Sequence, residues 1–221
     1  MEKVIFDPTT YELKFPLFET IKYFNGRLLN LEFHQKRVDR SFSEFFKLKT
    51  SLNLSKLLAN HPIFQGLPVG SEIWRIRVDY NKKDTLVKVS PYYKRLIKTL
   101  QPLDIGEYTY SHKYANRKTL LYFYDQKGLA DEVLLVRNGL LTDTSYSNIA
   151  LWDGCNWFTP KSPLLMGTKR NSLLASGRLQ EMKLYLKDIS NFKVISLINS
   201  MLDLEDTQIQ IPSILPIVQN L

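Results

Sequence analysis

The sequence predicts a two-domain fold of the α/β (α+β) class, because helices and strands are mixed differently in the two halves of the chain. In the first half, segments that alternate between apolar and polar residues stand before and after segments with helical spacing. In the second half, four short segments of strand character follow one another across the turns Asn138-Gly139 and Asp153-Gly154. We therefore expect a small N-terminal α/β domain over residues 1–98 and a C-terminal domain over residues 106–221, built on an antiparallel sheet with helices.

The N-terminal half contains the clearest turn of the chain. Asn25 and Gly26 separate two strand-like segments, and an Asn-Gly pair readily adopts the positive φ angles of a two-residue hairpin. The elements predicted in this half are, in order, strands over 4–6, 11–14, 18–24 and 27–31, helices over 32–46 and 55–60, and a second hairpin with strands over 73–79 and 85–90.

The pattern lapses between residues 94 and 106, where Pro102 and Gly106 interrupt it. We place a linker there, over residues 99–105. The elements predicted after it are a strand over 108–113, a helix over 116–127 that Gly128 ends, strands over 132–137, 140–142, 148–153 and 156–159, helices over 168–176 and 176–186, and a strand over 193–198.

The composition predicts a folded, soluble protein without metal chemistry. The 221 residues are 44% hydrophobic, which is enough to fill a core. The single cysteine, Cys155, has no partner for an internal disulfide, and no Cys/His cluster has the spacing of metal ligands. No charged and apolar leader stands at the N-terminus, and no apolar run approaches the ~20 residues of a membrane helix, so we expect a cytoplasmic protein.

The formal net charge of +8 raises the question of a nucleic-acid partner. Basic residues alternate with acidic ones throughout the chain, however, and the densest local group covers only residues 92–95. This distribution favours a solvated basic surface, with a field that attracts an anionic cofactor or substrate as the alternative. We do not expect binding to nucleic acid.

Lys113 is the first candidate for a catalytic residue. It stands at the predicted end of a strand beside the aromatic Tyr114. Surroundings that exclude water lower the pKa of a lysine and leave the neutral amine, which attacks an aldehyde. The alternative is an ordinary solvated lysine, because the chain has many.

Arg37 is a candidate phosphate ligand. It follows His34 by three residues on the first long predicted helix, and its guanidinium offers a planar fork of donors. A surface helix arginine is the alternative. We expect His34 to pack or to form hydrogen bonds near the helix start, and we assign it no catalytic role.

Two features of the C-terminal half complete the predicted chemistry. Asp143 lies in the hydroxyl-rich segment 142–148, where a carboxylate can hold a protonated ring nitrogen, although such a segment is often only a polar turn. Gly167 opens a predicted helix whose first N–H groups and positive dipole end suit a phosphate, although many helix starts bind nothing. A lysine, a ring-binding carboxylate and a phosphate-binding turn are the parts needed to hold pyridoxal phosphate.

Together these segments resemble the fold-type IV family of pyridoxal-phosphate enzymes, which includes aminodeoxychorismate lyase, D-amino-acid aminotransferase and branched-chain aminotransferase. The motifs that carry the resemblance are FETI at 18–21, NG at 25–26, the His34 and Arg37 pair, HKYAN at 112–116, DEVLL at 131–135, TDTSYSN at 142–148, TP at 159–160 and GTKR at 167–170. Each motif alone is moderately specific, whereas their order and spacing over nearly the whole chain are strong. The family implies that the C-terminal antiparallel sheet forms a pseudo-barrel.

The resemblance implies a role for each matching residue. The lysine that bonds the cofactor falls on Lys113, the phosphate arginine on Arg37, the glutamate at the ring nitrogen on Asp143, and the phosphate-binding amides on Thr168 and Lys169. Asp143 is one methylene shorter than the usual glutamate and therefore needs a local backbone shift or a looser hydrogen bond. Lys169 stands where the family has threonine, so that Thr168 must supply any hydroxyl contact. The segment before FETI is also shorter than in typical members, which implies a smaller substrate side of the pocket.

Within the family, the segment ISLINSML at 195–202 resembles the lyases more than the aminotransferases, and FET at 18–20 leans the same way. Our leading hypothesis is an aminodeoxychorismate lyase-like enzyme that releases pyruvate and forms 4-aminobenzoate for folate synthesis. Lys113 would then remove a proton from the substrate carbon and return one to the departing enolpyruvyl group. The alternatives are an aminotransferase for D- or branched-chain amino acids and a non-catalytic basic binding protein that keeps the fold.

The expected substrate is a small anionic amine. The residues predicted to contact its carboxylates and ring are Thr20, Tyr93, Arg95 and Asn199. For Tyr93 and Arg95, an exposed strand end is an equally good interpretation. The family implies a homodimer, and we expect no membrane or nucleic-acid partner.

Overall fold

The structure is a computed structural model, and it describes residues 8–214. These residues form two compact units. The first contains the chain up to Tyr92 together with His112–Arg117, and the second contains Tyr93–Ser111 and the chain from Lys118 onward. The chain therefore leaves the first unit after Tyr92 and returns to it for the short segment that contains Lys113.

The first unit is a four-stranded antiparallel sheet in the order β2-β1-β3-β4, with helices. Its elements are α1 (Pro8–Lys14), β1 (Leu17–Phe24), β2 (Arg27–Leu28), α2 (Leu31–Ser41), a π-helical turn (Phe42–Phe46), α3 (Leu54–Leu58), a 3-10 turn (Pro62–Phe64), β3 (Ile73–Tyr80) and β4 (Thr85–Pro91). The long pairing of β1 with β3, from Leu17 opposite Tyr80 to Phe24 opposite Ile73, is the centre of this sheet.

The two faces of this sheet differ in character because side chains alternate along a strand. One face carries Leu17, Ile21, Ile76 and Val78, and it packs with the α2 residue Val38 into a buried core. The other face carries mostly polar and charged side chains at the intervening positions. The structure thus separates a hydrophobic layer from a polar layer along the same two strands.

Three expectations for the first half need correction. Residues 11–14 are not a strand but belong to α1, where Tyr11 and Phe15 pack their rings 5.5 Å apart at the four-residue spacing of a helix. The predicted strand 27–31 ends at Leu28, because Asn30 has a φ of 55° and opens α2. The helix predicted over 32–46 is α-helical only to Ser41 and continues as the π-helical turn. The predicted strand over 4–6 lies outside the described residues.

The hairpin at Asn25 and Gly26 is confirmed. Their φ angles are 48° and 76°, the positive values that a two-residue turn between β1 and β2 requires. The second predicted hairpin is confirmed as β3 and β4.

The second unit is a larger curled sheet with two helices of eight residues. Its elements are β5 (Leu100–Asp104), α4 (Lys118–Asp125), β6 (Glu132–Arg137), β7 (Leu140–Thr144), β8 (Asn148–Trp152), β9 (Trp157–Pro160), α5 (Thr168–Ala175), β10 (Gln180–Met182), a 3-10 turn (Leu186–Asn191), β11 (Val194–Ile198), β12 (Gln208–Gln210) and a 3-10 turn (Ile211–Ser213). The strands β6 to β9 form the predicted antiparallel run. Parallel strands β5 and β10 flank this run, and β11 and β12 branch from β8.

Three expectations for the second half are also wrong. The predicted linker 99–105 contains β5, in which Pro102 is tolerated because β5 is an edge strand. Residues 108–113 form no strand, and a tight turn from the Tyr114 N–H to the His112 carbonyl breaks the extended chain. The predicted helix 176–186 is absent, because α5 ends at Ala175, Gly177 follows with a φ of 73°, and the chain then forms β10 against β9.

Candidate active site

Lys113 is fixed by its backbone against the start of β1. Its carbonyl accepts a hydrogen bond from the Phe18 N–H at 3.1 Å, and two residues later the Ala115 N–H donates to the Pro16 carbonyl at 2.8 Å. The segment around Lys113 therefore behaves as a short extension of the first sheet. It places the lysine side chain next to β1 without being a regular strand itself.

The amine of Lys113 lies over an aromatic ring in partly buried surroundings. Its Nζ is 4.8 Å from the centroid of the Phe18 ring. Burial lowers the pKa of Lys113 to about 7, and the positive charges of Arg37 and Arg117 lower it further, whereas Glu19 opposes the shift. The aromatic ring beneath the amine is that of Phe18. A lowered pKa means that more of the amine is neutral at pH 7 than in an ordinary lysine.

Arg37 belongs to a buried cluster with Glu19 and His34. Its Nε donates to Glu19 Oε1 at 2.8 Å and its Nη2 to Glu19 Oε2 at 2.5 Å. His34 Nδ1 lies 2.6 Å from the same Oε2. All three side chains are buried, so the interpretation of Arg37 as a surface arginine is excluded. Its assignment to a phosphate remains a prediction.

The protonation of this cluster follows from burial and from the charge of Arg37. Burial alone would raise the pKa of Glu19, but the charge and hydrogen bonds of Arg37 outweigh it and hold the pKa at about 2. Burial lowers the pKa of His34, so the imidazole is neutral and donates Nδ1–H to the carboxylate. Sequence reasoning assigns no role to Glu19. The signal that could have identified it is its position in the FETI motif, which precedes the His34 and Arg37 pair in the chain.

Thr20 lies on the polar face of the same sheet. It is half-buried on β1 and stands directly opposite Arg77 on β3. The first unit therefore holds three of the predicted site residues, Thr20, Arg37 and Lys113.

In the second unit, Asp143 is buried on β7 and fixed by two donors. The Asn148 amide donates to Oδ1 at 2.8 Å and the Leu165 N–H donates to Oδ2 at 2.9 Å. Burial raises the pKa of Asp143 to about 6, although the bonds from Asn148 and Leu165 and the charge of Arg170 act in the opposite direction. The pairing register of β7 with β6 also shifts along this stretch, between Thr144 and Leu141, and such irregularities redirect side chains.

Gly167 precedes α5 and leaves no room for a side chain. A Cβ at this position would lie 1.8 Å from the Asn148 Oδ1 atom. The φ of Gly167 is −70°, so the need for glycine comes from this close approach and not from the backbone angle. The Asn148 amide group thus connects Asp143 to the helix start.

The first turn of α5 presents the backbone N–H groups of Thr168 and Lys169 at the positive end of the helix. Thr168 is buried. The Lys169 side chain pairs with Asp203, with Nζ 2.7 Å from Oδ2. Only the backbone N–H of Lys169 is therefore proposed to donate to an anion. Any hydroxyl contact to a phosphate must come from Thr168.

The other predicted substrate residues also lie in the second unit. Tyr93 is 82% exposed. Arg95 Nη2 donates to the Tyr124 hydroxyl at 3.1 Å, and its guanidinium lies 5.1 Å from the Tyr146 ring. Asn199 Nδ2 donates to Ser147 Oγ at 2.8 Å, and its Oδ1 closes a turn by accepting from following N–H groups. Arg95 and Asn199 therefore both contact segment 142–148.

Sequence reasoning misses Glu132, which is fully buried at the start of β6. Its Oε1 accepts from the Val133 N–H at 2.9 Å and weakly from the Ser145 N–H at 3.4 Å, and its Oε2 lies 3.6 Å from Arg95 Nη1. Burial raises the pKa of Glu132. The sequence signal that could have identified Glu132 is its position directly before the apolar run 133–136.

Two other kinds of site are absent from residues 8–214. Within that range, no group of three or more His, Cys, Asp or Glu side chains is placed to hold a metal ion. The same range contains no helix that is both long and apolar enough to cross a membrane.

Comparison with known proteins gives one family and several similar chains. The family model described as amino-transferase class IV matches residues 16–205. An uncharacterized protein of Haemophilus influenzae is 35% identical over 187 residues, which cover 85% of this chain and 98% of that protein.

Two solved structures show the range of similarity. A crystal structure from Haemophilus somnus, named as a "putative 4-amino-4-deoxychorismate lyase", is 32% identical, covers 85% of this chain and 97% of that chain, and has a TM-score of 0.79. The PLP-bound form of a hypothetical aminotransferase from Mycobacterium tuberculosis is 18% identical, covers 99% and 89% of the two chains, and has a TM-score of 0.73. At that identity the second likeness concerns the fold alone.

Proposed function

Because the chain belongs to the class IV aminotransferase family, whose members are pyridoxal-phosphate-dependent enzymes, we propose that it is an aminodeoxychorismate lyase-like enzyme. It would cleave aminodeoxychorismate into 4-aminobenzoate and pyruvate. The similar Haemophilus somnus chain carries the name of this lyase, and the lyase-like segment at 195–202 supports the same choice. The structural observation on which the proposal rests is the partly buried Lys113 amine with a pKa of about 7.

The described residues fit the cofactor in their chemistry. They include an amine that is partly neutral at pH 7, a buried carboxylate, a buried guanidinium and a helix start whose glycine cannot be replaced without a clash. When bound, pyridoxal phosphate supplies an aldehyde that bonds amines and an electron-poor ring that stabilises negative charge on the adjacent carbon.

Lys113 is proposed as the residue that bonds the cofactor and moves protons. A group whose pKa is close to the pH of the reaction can both accept and return a proton efficiently. Phe18 and the backbone bond to Lys113 hold the Nζ atom in one region, which limits the positions from which it takes a proton. In the lyase reaction, Lys113 would take a proton at the substrate carbon and give one to the departing enolpyruvyl group.

Arg37 is proposed to bind the phosphate, and Glu19 is proposed to orient it. Since Nε and Nη2 are held by Glu19, the guanidinium plane is fixed before any ligand arrives. The backbone N–H groups of Thr168 and Lys169 are proposed as further phosphate donors, following the general preference of anions for helix starts.

Asp143 is proposed to hold the protonated ring nitrogen. With a pKa of about 6 it is mostly ionised at pH 7, and an ionised carboxylate retains acceptor capacity beyond the bonds from Asn148 and Leu165. Thr20, Tyr93, Arg95 and Asn199 are proposed to contact the substrate, which would be a small anionic amine. A cytoplasmic homodimer in folate synthesis completes the proposal.

The substrate is tested by incubating the cofactor-loaded protein with aminodeoxychorismate, and separately with D-alanine or valine and 2-oxoglutarate. The lyase assignment predicts 4-aminobenzoate and an equal amount of pyruvate from the first mixture and no glutamate from the others. Glutamate without 4-aminobenzoate would instead identify an aminotransferase. The Lys113→Ala variant is the control, and it should be inactive in every mixture.

A further inference from the structure

The polar face of the first sheet carries an excess of positive charge close to Lys113. The paired registers of β1, β3 and β4 place Thr20 opposite Arg77 and Arg77 opposite Lys88, with the next positions along the same face occupied by Lys22 and Arg75. Along these three strands, this face therefore carries four cations and a single carboxylate, Asp79. Such a surface attracts anions.

Arg77 is the best-fixed cation of this face. Its Nε donates to Asp79 Oδ1 at 2.8 Å, and its Nη2 forms an ion pair with the same oxygen at 2.6 Å. Asp79 is fully buried, and its other oxygen accepts a hydrogen bond from the Tyr11 hydroxyl at 2.7 Å. The Arg77 guanidinium also lies 3.7 Å from the centroid of the Phe18 ring. The ring and the carboxylate thus fix its plane and its position.

The Asp79 contact uses only the Nε and Nη2 donors of Arg77. The side chain is 32% exposed, so part of the guanidinium is open to solvent. The half-buried Thr20 stands opposite Arg77 on β1 and adds a hydroxyl donor at the same place. A guanidinium edge next to a hydroxyl suits a carboxylate.

Lys113 and Arg77 share the Phe18 ring. The Lys113 Nζ lies 4.8 Å from its centroid and the Arg77 Cζ lies 3.7 Å from it, so the two cations are separated by no more than the sum of these distances. A small molecule that reacts at the Lys113 amine therefore reaches Arg77 with a group a few bonds away. The positive charge of Arg77 also contributes to the lowered pKa of Lys113, in agreement with this proximity.

We propose that Arg77 is a specificity-determining residue that binds a carboxylate of the substrate whose amine reacts at Lys113. The substrate is then an amine that carries a carboxylate for Arg77, besides any other carboxylate that the rest of the site binds. Neutral amines of similar size are expected to bind poorly. This inference rests on the proposed function, because it assumes that substrate chemistry takes place at Lys113.

Arg75 provides a matched control for Arg77. It lies on the same strand and the same face, two residues away, which is about 7 Å along a strand. It is exposed and donates to Ser90 Oγ at 3.1 Å. Its substitution changes the charge of the face by the same amount without removing the guanidinium from the Phe18 ring.

The test compares the binding of succinate and of its neutral diamide, succinamide, to the cofactor-loaded protein by calorimetry. The Arg77→Met variant should weaken succinate binding by about 10- to 100-fold, the loss of one charge-assisted pair of hydrogen bonds, and should leave succinamide binding within about twofold. Arg77→Lys should fall between Arg77→Met and the unaltered protein, and Arg75→Met should bind both probes within about twofold of the unaltered protein.

Arg77→Met leaves the Asp79 carboxylate buried without its main partner, so the double variant R77M/D79N is measured as well. Equal losses in Arg77→Met and Arg75→Met, or unchanged succinate binding in Arg77→Met and R77M/D79N, would overturn the assignment of Arg77. The absorbance of the bound cofactor is recorded for every variant. If the unaltered protein binds the cofactor and the variants bind succinate as it does, only the assignment of Arg77 is contradicted. If the unaltered protein binds no cofactor, the proposed function itself is contradicted.

Discussion

Gly167 lies so close to Asn148 that a Cβ atom at position 167 would stand 1.8 Å from the Asn148 side-chain oxygen. The same Asn148 side chain donates one hydrogen bond to Asp143 and one to the Leu165 carbonyl. The side chain of Asn148 therefore links the close approach at Gly167 to the position of the buried Asp143 carboxylate.

Gly167→Ala should destabilise the protein, because the Asn148 amide must move and its bond to Asp143 must weaken. We expect a loss of about 1–3 kcal/mol in the free energy of unfolding, the usual range for overpacking. Urea unfolding measures this loss. Gly70→Ala is the control, since a Cβ there meets nothing within 4 Å, and it should change the stability by less than about 0.5 kcal/mol. Equal stability of the two variants would contradict the close approach at Gly167.

Glu19→Gln should be strongly destabilising, because it leaves the Arg37 charge buried without its partner. Breaking a buried ion pair from one side costs about 3–5 kcal/mol. Glu32→Gln, at an exposed position on α2, is the control and should be nearly neutral. Chemical unfolding of both variants decides the matter, and similar midpoints would show that the cluster contributes little.

The same glutamate predicts a defined acid sensitivity. The folded pKa of Glu19, about 2, lies below its ordinary value of 4.5, so its stabilising contribution is complete above pH 4.5 and is lost as the pH falls toward 2. The stability difference between the unaltered protein and Glu19→Gln should therefore shrink over that interval. A difference that stays constant from about pH 5 to about pH 2.5 would argue against a lowered pKa.

Asp143 should have the opposite pH dependence. Its folded pKa of about 6 lies above the ordinary 3.8, so the folded state keeps a proton that the unfolded state has already lost, and this contribution to stability falls as the pH rises from about 4 to 6. A pKa difference of this size corresponds to about 3 kcal/mol. Asp143→Asn lacks this titration, and its stability relative to the unaltered protein should rise across that interval in unfolding measurements on cofactor-free protein. A flat difference would contradict the raised pKa.

Lys113→Met should make the cofactor-free protein more stable at neutral pH. The lowered pKa means that the folded state disfavours the charged amine, and this penalty is full below pH 7 and disappears as the pH approaches 10.5. Thermal melts at about pH 7 and about pH 10 measure the effect, and the advantage of the variant should narrow at the higher pH. Lys98→Met, at an exposed position, is the control variant for the same melts.

The sequence predicts the antiparallel run from β6 to β9 and both hairpins of the first unit, because alternation and Asn-Gly or Asp-Gly turns are local signals. It does not predict β5 or β10, because both are edge strands whose pairing depends on distant neighbours. In addition, β5 contains Pro102, and β10 follows Gly177. The local sequence pattern predicts a strand over residues 108–113. In the structure, the Lys113 segment is instead held by Pro16 and Phe18, contacts that no local pattern contains.

Some residues of the candidate site are likewise predicted from the sequence, and others are not. Motif spacing identifies Lys113, Arg37 and Asp143, and the structure shows each in buried or partly buried surroundings. The partners that contact these side chains are Phe18 at Lys113, Glu19 at Arg37 and Asn148 at Asp143. Their contacts with Lys113, Arg37 and Asp143 join separate elements of the chain, which no local pattern shows. Arg77 is missed for the same reason, since a basic residue within an alternating strand looks like an ordinary solvent-facing position.

Reduction of the cofactor-loaded protein with borohydride, followed by peptide mapping, tests most directly whether Lys113 bonds the cofactor. The reduced pyridoxyl group should be found on Lys113, and Lys113→Ala should carry none after the same treatment. A reduced group on another lysine, or unaltered protein that takes up no cofactor, would contradict the role of Lys113.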